Sequence, residues 1–139
     1  MSTQRYFEDL SVGMTADQTR TVTERDIELF AEVSGDRNPV HLDEGYARET
    51  PFKGRIAHGL LSASYISALL GNGLPGPGCI YVSQSLRFKA PVRIGDEVLT
   101  RVEITDLDPD KRRATLRTTC QVGETVVIDG EASIMVPGR

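Results

Sequence analysis

The residues best suited to proton chemistry are an aspartate and two histidines. His41 follows Asp36 by five positions, across a turn that Asn38 and Pro39 would hold. A turn that folds back sets a carboxylate beside an imidazole, and such a pair can hold one water and move protons at neutral pH. Taken on spacing alone, the commoner reading of Asp36 is a turn cap, with His41 a surface residue. His58 precedes Gly59 at the start of an apolar helix. Free backbone N–H groups point outward from such a helix start, where an oxygen gaining negative charge would be stabilised. A capping or space-filling His58 accounts for that position equally well.

Other chemistries find less support. Asp36, His41 and His58 could form a metal-ligand set on paper, but no cysteine is close in sequence and no HxxxH spacing occurs, so no metal is expected. There is no GxSxG nucleophile elbow, no P-loop and no GxGxxG turn.

These residues need elements to position them. Thr23 can cap a helix, with Asp26 three residues on in the carboxylate position, and Ile27, Leu29, Phe30 and Val33 give that helix an apolar face. Gly35 would end it in a left-handed conformation. Asp43 would cap a short helix through Tyr46 and Ala47, stopped by Pro51. From Gly59 to Gly71 no charged residue occurs, and a helix that is apolar or small all round is a buried one. The run is too short to span a bilayer, so Gly59 to Leu70 reads as a helix enclosed by the fold. A Gly- and Pro-rich loop, 71–78, follows.

Beyond the loop the period becomes two. Ile80, Val82, Leu86 and Phe88 alternate with polar residues; so do Val98, Val102 and Ile104, then Ala114, Leu116, Cys120 and Val122. Val126, Ile128, Ile134 and Val136 share one face of the last stretch. Turns at IGDE, DPDK and VGE make the strands antiparallel neighbours. A helical half is thus followed by a strand-rich half, an α+β layer with a curved antiparallel sheet around a central helix.

The bulk properties narrow the class of protein. The 139 residues suit one domain, 1–139, with 39% hydrophobic and 26% charged residues. A net charge of −4, with no basic run, argues against nucleic acid as partner. The opening MSTQRYFEDLSVG has no apolar stretch, so neither a signal peptide nor a membrane anchor is expected, and the location expected is the cytoplasm. Cys79 and Cys120 are expected to be free thiols.

The segment from Phe30 to Ala47 resembles the MaoC-like hydratases, the (R)-specific enoyl-CoA hydratases. Their signature of an aromatic residue, an aliphatic one, SGDxNPxH and a later small residue is met by Phe30, Val33, Ser34, Gly35, Asp36, Asn38, Pro39, His41 and Ala47. HGLLSASYIS resembles the family's central-helix start. SLRFKAPVRIGDEV, with Phe88, Pro91, Val92, Gly95 and Asp96, resembles its strand-turn stretch. The resemblance covers about Phe7 to Val136, and it favours the dyad reading of Asp36 and His41 over the turn cap.

What the resemblance implies is a hot-dog fold, a homodimer with the thioester tunnel near its interface, and no cofactor. It implies that Asp36 and His41 bind the reacting water, that the Gly59 N–H polarises the thioester carbonyl of an acyl-CoA, and that Asn38 and Ser67 orient the dyad; His58, from its place at the start of the central helix, is a further supporting candidate. Val40, Leu60, Leu61 and the 71–78 loop are the candidates for shaping the acyl pocket. The nearest rivals are a thioesterase of the same fold, whose working carboxylate often lies on the central helix, and a non-catalytic acyl-ligand binding dimer. The helix from Gly59 to Leu70 has no Asp or Glu, which argues against the first, and the presence of both dyad residues argues against the second.

Overall fold

The computed structural model describes residues 4–139. A short 3-10 turn (Phe7–Asp9) precedes strand β1 (Thr15–Thr21), which is followed by helices α1 (Glu24–Ser34), α2 (Pro39–Leu42), α3 (Glu44–Arg48) and α4 (Gly59–Asn72). Strands β2 (Ile80–Phe88), β3 (Glu97–Asp108), β4 (Arg113–Val122) and β5 (Thr125–Met135) complete the chain. The five strands form one antiparallel sheet in the order β1-β3-β4-β5-β2. This is the α+β hot-dog arrangement expected, a curved sheet against a central helix.

The local signals act as their chemistry requires. Thr23 and Asp26 form a reciprocal capping box at α1, with N···O distances of 3.1 and 3.0 Å. Gly35 closes α1 at φ 80°, a region favouring glycine. Asp43 caps α3 through the Tyr46 N–H at 3.0 Å.

Helix α4 packs on β3, β4 and β1. Its buried residues include Leu61, Tyr65, Ile66, Leu69 and Leu70, and the sheet supplies Val98, Val102, Ile104, Leu116, Ile128 and Ile134. At about 25 cal/mol per Å² of apolar surface, burying such side chains is the main drive for this layer. The helix runs two residues past Leu70, to Asn72. Leu74, Pro75 and Gly76 then fold into a buried turn, with the Gly76 N–H on the Leu70 carbonyl at 2.9 Å.

Three features differ from the sequence reading. The division into a helical half and a strand half misses β1, an edge strand whose polar sequence TADQTRT carries no apolar alternation. Val126 is off the buried face, because a register shift between Cys120 and Gln121 leaves Val127 and Ile128 both buried. Strand β2 is largely exposed: Ile80, Tyr81, Val82 and Phe88 all face solvent, and so does Leu60 on the adjoining face of α4. One flank of the central helix is thus left uncovered by this chain.

Both cysteines are free, Cys120 buried and Cys79 half-buried. Burial pushes both thiols up from their usual acidity. Among the described residues no helix is long and apolar enough to cross a membrane.

Candidate active site

The dyad is built by successive side-chain caps along one short turn. Ser34 Oγ–H donates to the Phe30 carbonyl at 2.6 Å, and the same oxygen accepts the Asp36 N–H at 3.1 Å. Asp36 Oδ1 then accepts the Asn38 N–H at 3.1 Å, and Asn38 Oδ1 accepts the Val40 N–H at 3.2 Å, capping α2. Pro39 occupies the first turn of α2, where its missing N–H costs nothing. The result carries Asp36 and His41 on one hydrogen-bonded corner, with the Asn38 side chain as the cap of α2.

His41 is 8% exposed and His58 2%, while the Asp36 side chain is open to the cavity. One donor atom from each of the three lies within 4.8 Å of the others. Groups at that separation can share a single water. His41 Nδ1 lies 2.8 Å from the Ile56 carbonyl oxygen. A carbonyl only accepts, so Nδ1 carries the proton and Nε2 the lone pair. Burial holds the His41 imidazole below the usual histidine range; the neighbouring His58 adds to this, while the Ile56 carbonyl and the Asp36 carboxylate oppose it. The ring is therefore neutral at pH 7, a base with a free nitrogen.

Arg55 tethers this corner from behind. Its Nε donates to the His41 carbonyl and its Nη1 to Glu24, both at 2.7 Å. Sequence reasoning did not find Arg55, since a lone arginine in a loop carries no pattern.

A cavity of about 690 Å³ opens in front of the dyad. Asp36, His41, His58, Gly59 and Leu60 line it, together with apolar residues such as Phe30, Ile56, Phe88 and Val92. Gly59 is the first residue of α4, so its N–H has no carbonyl within the helix to bond. A Cβ there would lie 2.7 Å from the Phe88 ring, so any larger residue would have to displace that ring. An N–H donor, a base and a carboxylate thus converge on one apolar-walled space. As a metal-ligand set the three are restricted. One nitrogen of each ring is already taken by a backbone carbonyl, His41 Nδ1 at Ile56 and His58 Nε2 at Asp36, which leaves a single nitrogen on each for an ion.

The remaining sequence candidates are dispersed. Leu60 stands in the cavity wall. Leu61 is buried in the core and borders a groove with Arg20, Phe30 and Tyr65. Val40 is half-buried, its carbonyl accepting the Ile56 N–H at 3.2 Å. The cavity wall contains neither Val40 nor Leu61 nor any residue of the 71–78 loop. Ser67 lies two turns beyond Gly59, about 12 Å along the axis at 1.5 Å per residue. It borders a second groove with Leu60, Ser64, Tyr81 and Leu86. Leu60 is common to both spaces.

Residues 9–128 match the family model described as MaoC like domain. The chain is 59% identical over 134 residues to a protein of Rhodospirillum rubrum named (R)-specific enoyl-CoA hydratase, covering 96% of this chain and 93% of that one. It is 56% identical to the 3-hydroxybutyryl-CoA dehydratase of Methylorubrum extorquens, covering 96% and 85%. Among solved structures it superposes on the unliganded R-hydratase PhaJ1 from Pseudomonas aeruginosa with a TM-score of 0.91 and 48% identity, covering 96% and 86%. The Aeromonas caviae (R)-hydratase, described as involved in PHA biosynthesis, gives 0.91 and 44%, covering 94% and 99%. The chain belongs to the MaoC-like family.

Proposed function

We propose that this protein is an (R)-specific enoyl-CoA hydratase, adding water reversibly across a trans-2-enoyl-CoA to give the (R)-3-hydroxyacyl-CoA. The observation that carries the reading is the convergence of the Asp36 carboxylate, the neutral His41 imidazole and the free Gly59 N–H on one cavity.

The thioester carbonyl oxygen sits at the Gly59 N–H, so electron density drawn from the double bond collects at the start of α4. C3 becomes electrophilic. A water between Asp36 and His41 loses one proton to His41 Nε2, and its oxygen bonds to C3 as the π pair moves to form the enolate. His41 then returns that proton to C2 on the same side as the enolate collapses. Asp36 accepts a hydrogen bond from the water's second hydrogen, which stays on the oxygen as the product hydroxyl, and its charge offsets that of the imidazolium. Atoms and charge balance within the site, and no cofactor enters.

Lys89 suits the carrier end of the substrate. Among the described residues it is the only Lys or Arg in the cavity wall, and it makes no ion pair. Its ammonium is available to the phosphates of CoA. An acyl chain running past Leu60 enters the second groove, which gives Ser67 a place beside the chain. That groove and the exposed β2 edge are the surfaces a second copy would cover, as in a homodimer. Two unbridged thiols fit a reducing cytoplasm.

Hydrolysis of the thioester is disfavoured because α4 carries no Asp or Glu. The test incubates the protein with crotonyl-CoA and follows the enoyl absorbance and free thiol together. Absorbance should fall with no thiol released. Thiol release without hydration would make it a thioesterase, and binding without turnover an acyl-ligand binder.

A further inference from the structure

His58 sits where a helix cap belongs, yet its side chain makes no capping bond to α4. Its Nε2 lies instead 2.9 Å from the main-chain carbonyl of Asp36. Its ring stacks on His41 with centroids 3.9 Å apart and is backed by Phe30, at 4.9 Å and tilted by 54°. Nδ1 is buried with no hydrogen-bond partner among the described residues, and the same is true of Ser62 Oγ one turn along α4.

We infer that His58 is a positioning residue for the dyad, holding the backbone of Asp36 through Nε2–H and the plane of His41 by stacking, and that the two histidines are fixed in opposite tautomers. The reason is the partner of each ring. The Asp36 carbonyl can only accept, so His58 Nε2 must carry the hydrogen. The Ile56 carbonyl imposes the reverse on His41, where Nδ1 carries it. Each N–H is thus spent on backbone. His41 keeps its Nε2 lone pair for the substrate, while His58 keeps a buried Nδ1 lone pair that takes no part in the mechanism above. His58 joins the start of α4, which carries the Gly59 donor, to the turn that carries Asp36. One ring thereby fixes the donor and the water-binding carboxylate relative to each other. A misplacement of about 1 Å at such a site costs roughly 100-fold in rate.

The chain has only two histidines, which makes the test direct. Protein labelled with ¹⁵N-histidine is studied by long-range nitrogen–proton correlation at about pH 8, above the ordinary histidine range, with His41→Gln used for assignment. One ring should show the Nδ1–H pattern and His58 the Nε2–H pattern. The same tautomer in both rings, or a fast average for His58, would overturn the inference. This arm stands whether or not the protein is a hydratase.

The kinetic arm rests on the hydratase reading. His58→Gln keeps an amide donor at similar reach but loses the ring, and His58→Phe keeps the ring but loses the donor. The Phe variant should lose about 10–100-fold in kcat with little change in KM, and the Gln variant should lose less. The acid limb of kcat/KM should also move up in pH in both variants. The charged or titrating groups around His41 are Asp36 beside it, His58 on its face, and Arg55 on its carbonyl, paired with Glu24. Of these only His58 is changed. Unaltered kcat and pH limb in both variants would refute a positioning role.

Discussion

The imidazoles of His41 and His58 stack at 3.9 Å, and each turns one nitrogen to a different backbone carbonyl. That relationship determines which nitrogen of His41 faces the cavity. It also places an uncharged base next to the Asp36 carboxylate.

The first consequence is a pH profile. Burial lowers the His41 pKa from 6.5, so the base form persists as pH falls through that value. We expect kcat/KM for hydration to stay level through pH 6.5 and to decline only below it. The same shift acts on stability. Between the depressed folded pKa and 6.5 the unfolded chain binds more protons, so stability is full above 6.5 and is lost as pH falls through the folded value. Melting temperatures of the parent should therefore drop in that window more steeply than those of His41→Gln. Parallel curves would show that His41 is not held neutral by the fold.

Gly59→Ala tests the close packing at the start of α4. Its Cβ would lie 2.7 Å from the ring of Phe88, which is 54% exposed and able to swing aside. Stability should fall by no more than about 1 kcal/mol, within the ordinary range for a point change, whereas kcat should fall about tenfold or more as the N–H donor is displaced. Phe88→Ala in the same chain should restore part of the rate. A Gly59→Ala enzyme with the parental kcat would show that Phe88 makes room and leaves the N–H in place.

The uncovered flank of β2 and α4 predicts assembly. Ile80, Tyr81 and Val82 form an exposed apolar edge, and such edges pair or aggregate unless blocked. Light scattering at micromolar concentration should give a dimer mass, and Val82→Asp should shift it toward the monomer. A monomeric parent would leave this flank without its expected partner.

Lys89 should discriminate carriers. Lys89→Glu is expected to raise KM for crotonyl-CoA several-fold, more at low salt than at high salt. Its kcat, and its kinetics on crotonyl-N-acetylcysteamine, which has no phosphates, should be unchanged. Equal effects on both substrates would place the role of Lys89 elsewhere.

Much of the site was legible because it is local. Thr23, Asp26, Gly35, Asp36, Asn38 and Pro39 act within a few residues of one another, through caps and turns whose chemistry depends on residue type. The strands β3 and β4 were legible from one buried face. What escaped is non-local. Strand β1 is polar on both faces and is defined only by pairing with β3. The bulge at Val127 shifts the phase of β5 without any glycine to mark it. Lys89 reads as one more residue of a solvated strand face until Phe88, Pro91 and Val92 fold around the same space. Ser67 lies on the helix that carries Gly59, yet two turns of rise carry it into a different groove.

The most direct test of the account is the turnover of Asp36→Asn and His41→Gln on crotonyl-CoA, with circular dichroism and mass checked beside it. Asp36 lies on the turn before α2 and His41 within α2, both outside the hydrophobic core cluster, so the fold should persist. Each variant should lose at least about 100-fold in kcat, as removal of an acid–base group does. The double variant should be little worse than the weaker single one, because both groups hold the same water. A folded Asp36→Asn protein that retains most of the hydratase activity would contradict the mechanism.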